Sequence, residues 1–186
     1  MGAGVIPELK TDRLLLRGFR QSDFDAHAAM CADPEVMKHM TGAPLSAADA
    51  WRQMAMFAGH WTLRGYGIWA VEECASGAFV GRIGLYFPEG WPDRELGWAL
   101  ARQYWGQGFA TEACTAALRY AFDTLEWDHV ISLISPDNVR SAALAKRLGA
   151  HAEGVTEVLG HHVDIYKHTR ASRPDLPRAP SQESGH

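Results

Sequence analysis

A glycine-rich turn past the middle of the chain carries the residue types that bind phosphate. It follows a strand-like run, Glu95 to Leu100, and precedes a helix-like run that ends near Glu126. Gly106 and Gly108 let the backbone turn tightly and leave its N–H groups open to a ligand. The first N–H groups of a helix lack internal partners and lie at the positive end of its dipole. The turn is therefore a candidate site for a phosphate or pyrophosphate.

The residues around this turn separate it from two common phosphate-binding motifs. A Walker A loop ends in Gly-Lys-Ser/Thr, a triplet that the chain lacks. The dinucleotide fingerprint has a third glycine, but Thr111 stands at that position. The string Gln-Tyr-Trp-Gly-Gln-Gly-Phe-Ala-Thr-Glu-Ala, residues 103–113, instead resembles the pyrophosphate-binding motif of the GNAT superfamily of N-acetyltransferases.

The elements that must position this turn are read from the spacing of apolar residues. Helices are predicted from Ser22, around residues 35–40, from Ser46 to Gly65, after the glycine turn, and over residues 139–148. Because a strand–helix–strand order implies a right-handed crossover, the strands on either side of the turn are expected to be parallel. The predicted strands span residues 13–17, 66–72, 79–87, 95–100, 129–135, 153–159 and 162–168.

This order of elements also resembles the GNAT fold, over most of residues 10–170. The resemblance implies an α+β fold with a mostly antiparallel mixed sheet of six to seven strands, splayed at a central parallel pair and flanked by about four helices. Residues 11–17, 104–106 and 138–141 are similar to the ribosomal-protein N-terminal (alanine/serine) acetyltransferase branch. Since that branch also includes enzymes that modify small amines, the resemblance does not identify the acceptor.

The resemblance further implies acetyl-CoA as the acetyl donor. On the predicted strand, Gly97 and Ala99 leave one face almost without side chains, which independently favours the approach of an extended ligand. Carried over by position, backbone groups of three strand residues would hold the pantetheine arm: Trp98, Ala99 and Leu100. The turn residues that would hold the pyrophosphate are Gln103, Gly106, Gln107, Gly108, Phe109, Ala110 and Thr111.

Asn138 and Ser141 form the next candidate pair. Asparagine is among the best helix N-caps, so a structural reading of Asn138 is sufficient by itself. The resemblance implies in addition that this pair meets the cofactor near its thioester, where Ser141 could protonate the departing thiolate. A CoA thiol should have a pKa near that of cysteine, about 8.5, so a strong acid is not required.

The general base is harder to assign from the sequence. The attacking amine must be neutral. An α-amine, with a pKa of about 7.7–8.0, lies about one pKa unit above pH 7, whereas lysine, with a pKa of about 10.4, lies more than three units above it. Glu95 is the candidate base, and a solvated carboxylate at a strand end is the alternative. His162, Asp164 and Tyr166 alternate on one face of the last strand and form a second set, in which Tyr166 could replace Ser141 as the acid.

Two positions depart from the family pattern. Gln107 stands where the family often has Lys or Arg, and Ala145-Lys146 stands where it often has Glu-Lys. Lys146 or Arg147 could supply the missing positive charge at the 3′-phosphate; as charges on a helix surface, both could equally be solvated.

An acidic rim is expected beside the site. Glu72, Glu73, Asp93 and Glu95 are predicted at adjacent strand ends, with Trp51 and Trp61 walling the same mouth. Carboxylates and aromatic rings attract cations, so a positively charged amine is the expected acceptor.

Composition limits the remaining function classes. The chain has 186 residues, a net charge of −4 and three cysteines without paired spacing, which predicts a cytoplasmic protein with no nucleic-acid partner. A secretory leader and a membrane-length apolar run are not evident, and no metal is expected. Residues 1–170 are predicted to form one domain and 171–186 a disordered tail, with a homodimer left open. The alternative to an enzyme is a non-catalytic acyl-CoA-binding domain, whereas a cysteine hydrolase would need a thiol motif that the chain lacks.

Overall fold

An eight-stranded mixed sheet runs through residues 5–172, which are the residues that the computed structural model describes. Its strand order is β1-β2-β3-β4-β5-β6-β8-β7, and only β5 and β6 are parallel. The strands are β1 (Leu9–Lys10), β2 (Leu14–Arg17), β3 (Ile68–Glu73), β4 (Phe79–Tyr86), β5 (Glu95–Leu100), β6 (His129–Ile134), β7 (His151–Val158) and β8 (His161–Thr169).

Five α-helices in the described residues cover the two faces of this sheet. Helix α4 packs on β4 and β5, and α5 packs on β6 and β8, so both lie on one face. Helices α1 to α3 pack mainly on the other face, against small and aromatic side chains of β3, β4 and β5. The helices are α1 (Phe24–Cys31), α2 (Pro34–Met37), α3 (Ala47–Arg64), α4 (Phe109–Arg119) and α5 (Val139–Arg147).

Local sequence signals fix several helix ends. The side chain of Ser46 accepts a hydrogen bond from the N–H of Asp49, and Gly65 ends α3 in the left-handed conformation. Asn138 likewise accepts from the N–H of Ser141 at 3.2 Å and caps α5. The predicted caps at Ser46, Gly65 and Asn138 are therefore confirmed, because capping depends on residues close in sequence.

The predicted fold class is confirmed, and all seven predicted strands occur within two residues of their expected ends. The structure adds β1, whose two residues are too few to show an alternating pattern. It also shortens the helix after the turn: α4 ends at Arg119 and continues as a π-helical turn, Tyr120–Thr124. The predicted boundary at residue 171 falls in a short 3-10 turn, Arg170–Ser172, and residues 173–186 lie outside the described residues.

The parallel pair β5–β6 separates soon after it begins. Its one paired position is Glu95 with Ile131, beside a hydrogen bond from the N–H of Ile131 to the carbonyl of Arg94 at 2.9 Å. At the next carbonyl of β5, that of Leu96, the hydroxyl of Ser132 donates instead of a backbone N–H, at 2.8 Å. Beyond this point the two strands diverge, so the backbone of residues 98–100 faces an open gap. Among the described helices, none is long and apolar enough to cross a membrane.

Candidate active site

The gap between β5 and β6 opens into a groove of about 1410 Å³. Gln103, Gln107, Lys146, Glu95 and Tyr166 are predicted site residues that do not line it. The structure thus gathers the strand, the glycine turn and the start of α5 around one groove. The predicted site residues that line it are Trp98, Ala99, Leu100, Gly106, Gly108, Phe109, Ala110, Thr111, Asn138 and Ser141.

The glycine turn leads directly into α4 with its N–H groups exposed to this groove. Gly106 and Gly108 have φ angles of 75° and 82°, in the left-handed region that favours glycine. Gly108 is the N-cap of α4, and the first intrahelical bond runs from the N–H of Glu112 to its carbonyl. The preceding N–H groups of α4 therefore have no helical partner and can bind an anion. Gln107 stabilises the turn itself, since its side-chain amide donates to the carbonyl of Gln103 at 2.8 Å.

A clamp that the sequence interpretation missed holds this turn against β2. Glu112, in the first turn of α4, accepts hydrogen bonds from the hydroxyl of Thr11 and from the backbone and side chain of Arg13. The guanidinium of Arg13 also donates to the carbonyl of Gln107 at 3.0 Å and covers the ring of Phe109. The segment around Arg13 and the glycine turn are both recognisable in the sequence, but only the fold shows that they contact each other.

Two arginines of α5 supply positive charge beside the turn. Arg147 Nη1 donates to Thr111 Oγ1 at 3.4 Å, and the Arg140 guanidinium lies 4.7 Å above the ring of Trp105. Both arginines line the groove, whereas Lys146 does not. Arg147 was one of the two predicted compensating cations, and Arg140 was missed. Residues 140, 144 and 147 are spaced so that they lie on one face of a helix, and this spacing could have indicated Arg140.

Ser141 is oriented by the tryptophan of the splayed strand. The indole Nε1 of Trp98 donates to Ser141 Oγ at 3.2 Å. Because this bond occupies a lone pair of the hydroxyl, the hydroxyl proton remains available to an acceptor in the groove. Asn138 uses its side-chain oxygen as the cap, so its amide nitrogen is the group that could donate to a ligand.

Tyr166, the alternative acid, lies behind this pair. It is 6% exposed and packs in a cluster with Ile134, Ala145 and Ala150, against which Trp98 also packs. The structure places Tyr166 behind the groove wall and Ser141 on the groove surface. His162 is exposed further along β8.

Glu95 starts β5 on the opposite face from Trp98, and its pKa suits a base. Burial raises the pKa of Glu95 to about 7, against the lowering effects of hydrogen bonds from Trp91 and the backbone of Leu133 and of the nearby charge of Arg82. Such a carboxylate is half-ionised near neutral pH, where a general base works best. Glu95 and Ser141 are thus on opposite sides of the splayed strand.

Comparison with known proteins decides the family. Residues 13–151 match the family model described as "Acetyltransferase (GNAT) domain", which is well over half of the chain. The chain belongs to the GNAT acetyltransferases. It is 32% identical to YkkB of Bacillus subtilis over 168 residues, which cover 86% of this chain and 94% of that protein.

Solved structures agree with this GNAT assignment. An acetyltransferase from Agrobacterium tumefaciens superimposes with a TM-score of 0.81 at 30% identity, over 89% of this chain and 95% of its own. The fold is also that of RimL, a ribosomal L7/L12 α-N-protein acetyltransferase solved with coenzyme A, with a TM-score of 0.72 at 17% identity over 88% and 98% of the two chains. The predicted family and enzyme class are confirmed.

The acidic rim expected for this acetyltransferase does not form. Since β3 and β5 run in the same direction, the end of β3 lies at the opposite edge of the sheet from the start of β5. Glu72 pairs there with Arg17 and Arg20. Asp93 instead pairs with His129 at 2.8 Å.

The two tryptophans do not wall the acceptor mouth together either. Trp61 is buried against Trp69, with 4.9 Å between the ring centroids. Trp51 is half-exposed. The argument for a cationic acceptor therefore loses its structural basis.

Other catalytic groups have little support in the described residues. Burial raises the pKa of the Cys31 thiol and of the Cys114 thiol, which disfavours the reactive thiolate. Within residues 5–172, no three His, Cys, Asp or Glu side chains are grouped so that they could hold a metal ion.

Proposed function

We propose that the protein is an acetyl-CoA-dependent N-acetyltransferase that acts on a primary amine by direct attack on the thioester. One arrangement carries this proposal: a carboxylate with a pKa of about 7 and a hydroxyl oriented by Trp98 lie on opposite faces of the strand that borders the groove. The proton of the amine can leave on the side of Glu95, while Ser141 faces the departing thiolate.

The groove has the features that bound acetyl-CoA requires. Backbone groups of residues 98–100 are not paired with β6 and would hold the pantetheine arm. The N–H groups of the glycine turn would bind the pyrophosphate, with Arg140 and Arg147 supplying positive charge. A Cβ at Gly106 or Gly108 would strain this turn, since both φ angles are positive. When bound, acetyl-CoA supplies the activated acetyl group.

Glu95 and Ser141 divide the two proton transfers of the reaction between them. Glu95 accepts a proton from the amine, and this transfer is easiest when the amine pKa is close to that of the carboxylate. An α-amine, at about 7.7–8.0, is within roughly one unit of Glu95, whereas lysine at about 10.4 is more than three units away. Ser141 passes a proton to the departing sulfur, whose pKa is about 8.5, and regains one from solvent, which also takes the amine proton from Glu95.

The Glu95 environment also weighs against the non-catalytic alternative. A domain that only binds acyl-CoA has no use for a half-buried carboxylate with a raised pKa on the strand that borders the groove, and desolvation of this group is costly. A screen of primary amines with detection of released CoA tests the proposal. Release above the hydrolysis background with at least one amine supports it, and release with none contradicts it.

Ser141→Ala should reduce kcat in this assay by roughly 10²-fold, the usual worth of a positioned acid. The affinity for acetyl-CoA should change little, because Asn138 and the glycine turn remain. Tyr166→Phe is the matched control, since it removes one hydroxyl from behind the groove wall. A large loss of kcat in Tyr166→Phe and none in Ser141→Ala would assign the acid to β8.

A further inference from the structure

One buried cation, Arg82, lies on the face of the sheet that carries Glu95 and has no ion-pair partner among the described residues. Arg82 stands in the middle of β4 on the face covered by α1 to α3, and it is 6% exposed. Its guanidinium lies 4.8 Å from the centre of the Phe57 ring, and Nη2 makes a weak contact of 3.7 Å to the sulfur of Met40. Among the described residues, its Nε has no hydrogen-bond partner and no carboxylate forms an ion pair with it.

A second buried arginine shows what structural pairing looks like in this chain. Arg17 is 3% exposed, and both Nη atoms donate to the carboxylate of Asp23 at 2.8 Å. Its Nε donates to Glu72 at 2.7 Å. A buried guanidinium that lacks such partners is unfavourable, so an anion bound from outside the chain would stabilise it.

The groups that face Arg82 do not neutralise it. From α1, His27 and Cys31 approach it: burial lowers the pKa of His27 to about 4 and raises that of Cys31, so both are uncharged at neutral pH. From β4, Tyr86 is also uncharged, because burial raises its pKa. The one carboxylate among the groups that act on Arg82 in the described residues is Glu95. It interacts with Arg82 through charge and not through a hydrogen bond.

The groove reaches the immediate neighbours of Arg82, although Arg82 itself does not line it. Ala99 pairs directly with Arg82, and both Ala99 and Met40 line the groove. Between Glu95 and Ala99 comes Gly97, where an added Cβ would meet just the Glu95 carboxylate, at 4.0 Å. Glu95 and Ala99, the partner of Arg82, are thus four residues, or about 13 Å of strand, apart on one face of β5, with only Gly97 between them on that face.

We propose that Arg82 binds an anionic oxygen group of the acceptor, so that the substrate is a small amine that also carries a carboxylate or a comparable oxyanion. This inference rests on the proposed function and specifies its substrate class. A guanidinium offers parallel N–H groups that match a carboxylate, and the flexible Met40 thioether is a weak acceptor that such an oxyanion would replace. Free amino acids fit this description, whereas most protein N-termini present a neutral amide after the α-carbon.

Three matched acceptors test the inference: an α-amino acid, its carboxamide and its aminophosphonate analogue, for several side chains. The α-amine of a free amino acid is more basic than that of its carboxamide, so kcat/KM is expressed per neutral amine. On that basis a charged hydrogen-bonded pair should favour the amino acid over the carboxamide by about 10- to 100-fold. In Arg82→Met, which keeps the volume, this ratio should fall to about one. Equal use of the acid and amide by the wild type, or the same ratio in Arg82→Met, would overturn the inference. The phosphonate shows whether a carboxylate is required or any oxyanion suffices.

Binding of the reaction product gives a test that does not depend on turnover. With CoA present, N-acetyl amino acids should raise the Tm of the wild type more than their carboxamides do, and Arg82→Met should lose the difference. Without ligand, Arg82→Met should keep its Tm, whereas the control Arg17→Met should lower it by leaving Asp23 buried and unpaired. An equal fall in both variants would assign Arg82 a structural role. If no amine releases CoA, the proposed function fails, and product binding still decides the role of Arg82.

Discussion

Gly108→Glu should abolish the binding of acetyl-CoA while the domain stays folded. The substitution places a side chain and a negative charge at the N-terminus of α4, where the exposed N–H groups would bind the pyrophosphate. The φ angle of 82° adds backbone strain of roughly 1–2 kcal/mol. Wild-type protein should melt at a higher temperature with saturating acetyl-CoA, because a ligand that binds only the folded state stabilises it. The variant should show no such increase.

Gly77→Glu is the matched control for this experiment. Gly77 has a φ angle of 71° in the turn between β3 and β4, with no atom within 4 Å of an added Cβ among the described residues. The substitution Gly77→Glu therefore adds similar backbone strain and the same charge, but away from the groove. Gly77→Glu should keep the acetyl-CoA-dependent increase in Tm. If Gly108→Glu also keeps it, the glycine turn does not bind the pyrophosphate.

Glu95→Gln should lower kcat by roughly 10²- to 10⁴-fold, the range that a general base contributes. Because the pKa of Glu95 is about 7 in the ligand-free fold, the wild-type kcat/KM, expressed per neutral amine, should rise as the pH increases through 7 and then level off. The variant should lack this titration. Asp93→Asn changes a neighbouring carboxylate that is paired with His129, and it should retain the wild-type profile. A wild-type pH profile in Glu95→Gln would show that this carboxylate is not the base.

The same substitution should stabilise the fold at alkaline pH. The folded state raises the pKa of Glu95 from 4.5 to about 7, so it holds the proton more tightly than the unfolded chain does. Between these values stability falls as the pH rises, and the penalty is complete above about pH 7. Glu95→Gln should therefore raise the Tm at pH 8 more than at pH 5. Thermal unfolding at both pH values measures this directly and also shows that the inactive variant is folded.

The features predicted well from the sequence are those set by neighbouring residues. Ser46, Gly65 and Asn138 act on helix ends within three residues, and the conformation of the turn at Gly106 follows from glycine itself. The face of β5 that carries Glu95 and Gly97 follows from strand alternation. These local rules were sufficient to assemble most of the groove.

The errors concern contacts between distant parts of the chain. The acidic rim failed because Glu72 and Glu95 lie at opposite edges of the sheet, which the antiparallel order β3-β4-β5 requires. The helical spacing places Arg140 on one face with Arg147, but it does not show that this face of α5 lies beside the glycine turn. The lack of an ion-pair partner at Arg82 among the described residues can be recognised only when the side chains around it are in place. This observation changes the inferred acceptor from a cationic amine to an amine that also carries an oxyanion.

Rapid mixing of the enzyme with one equivalent of acetyl-CoA, with and without an amine acceptor, tests direct transfer through this site. The protein mass and the free CoA thiol are followed after quenching. CoA should appear only when the amine is present, with one acetylated amine per CoA and no acetylated protein at any time. Release of CoA without the amine, together with an acetyl group attached to the protein, would contradict direct attack between Glu95 and Ser141.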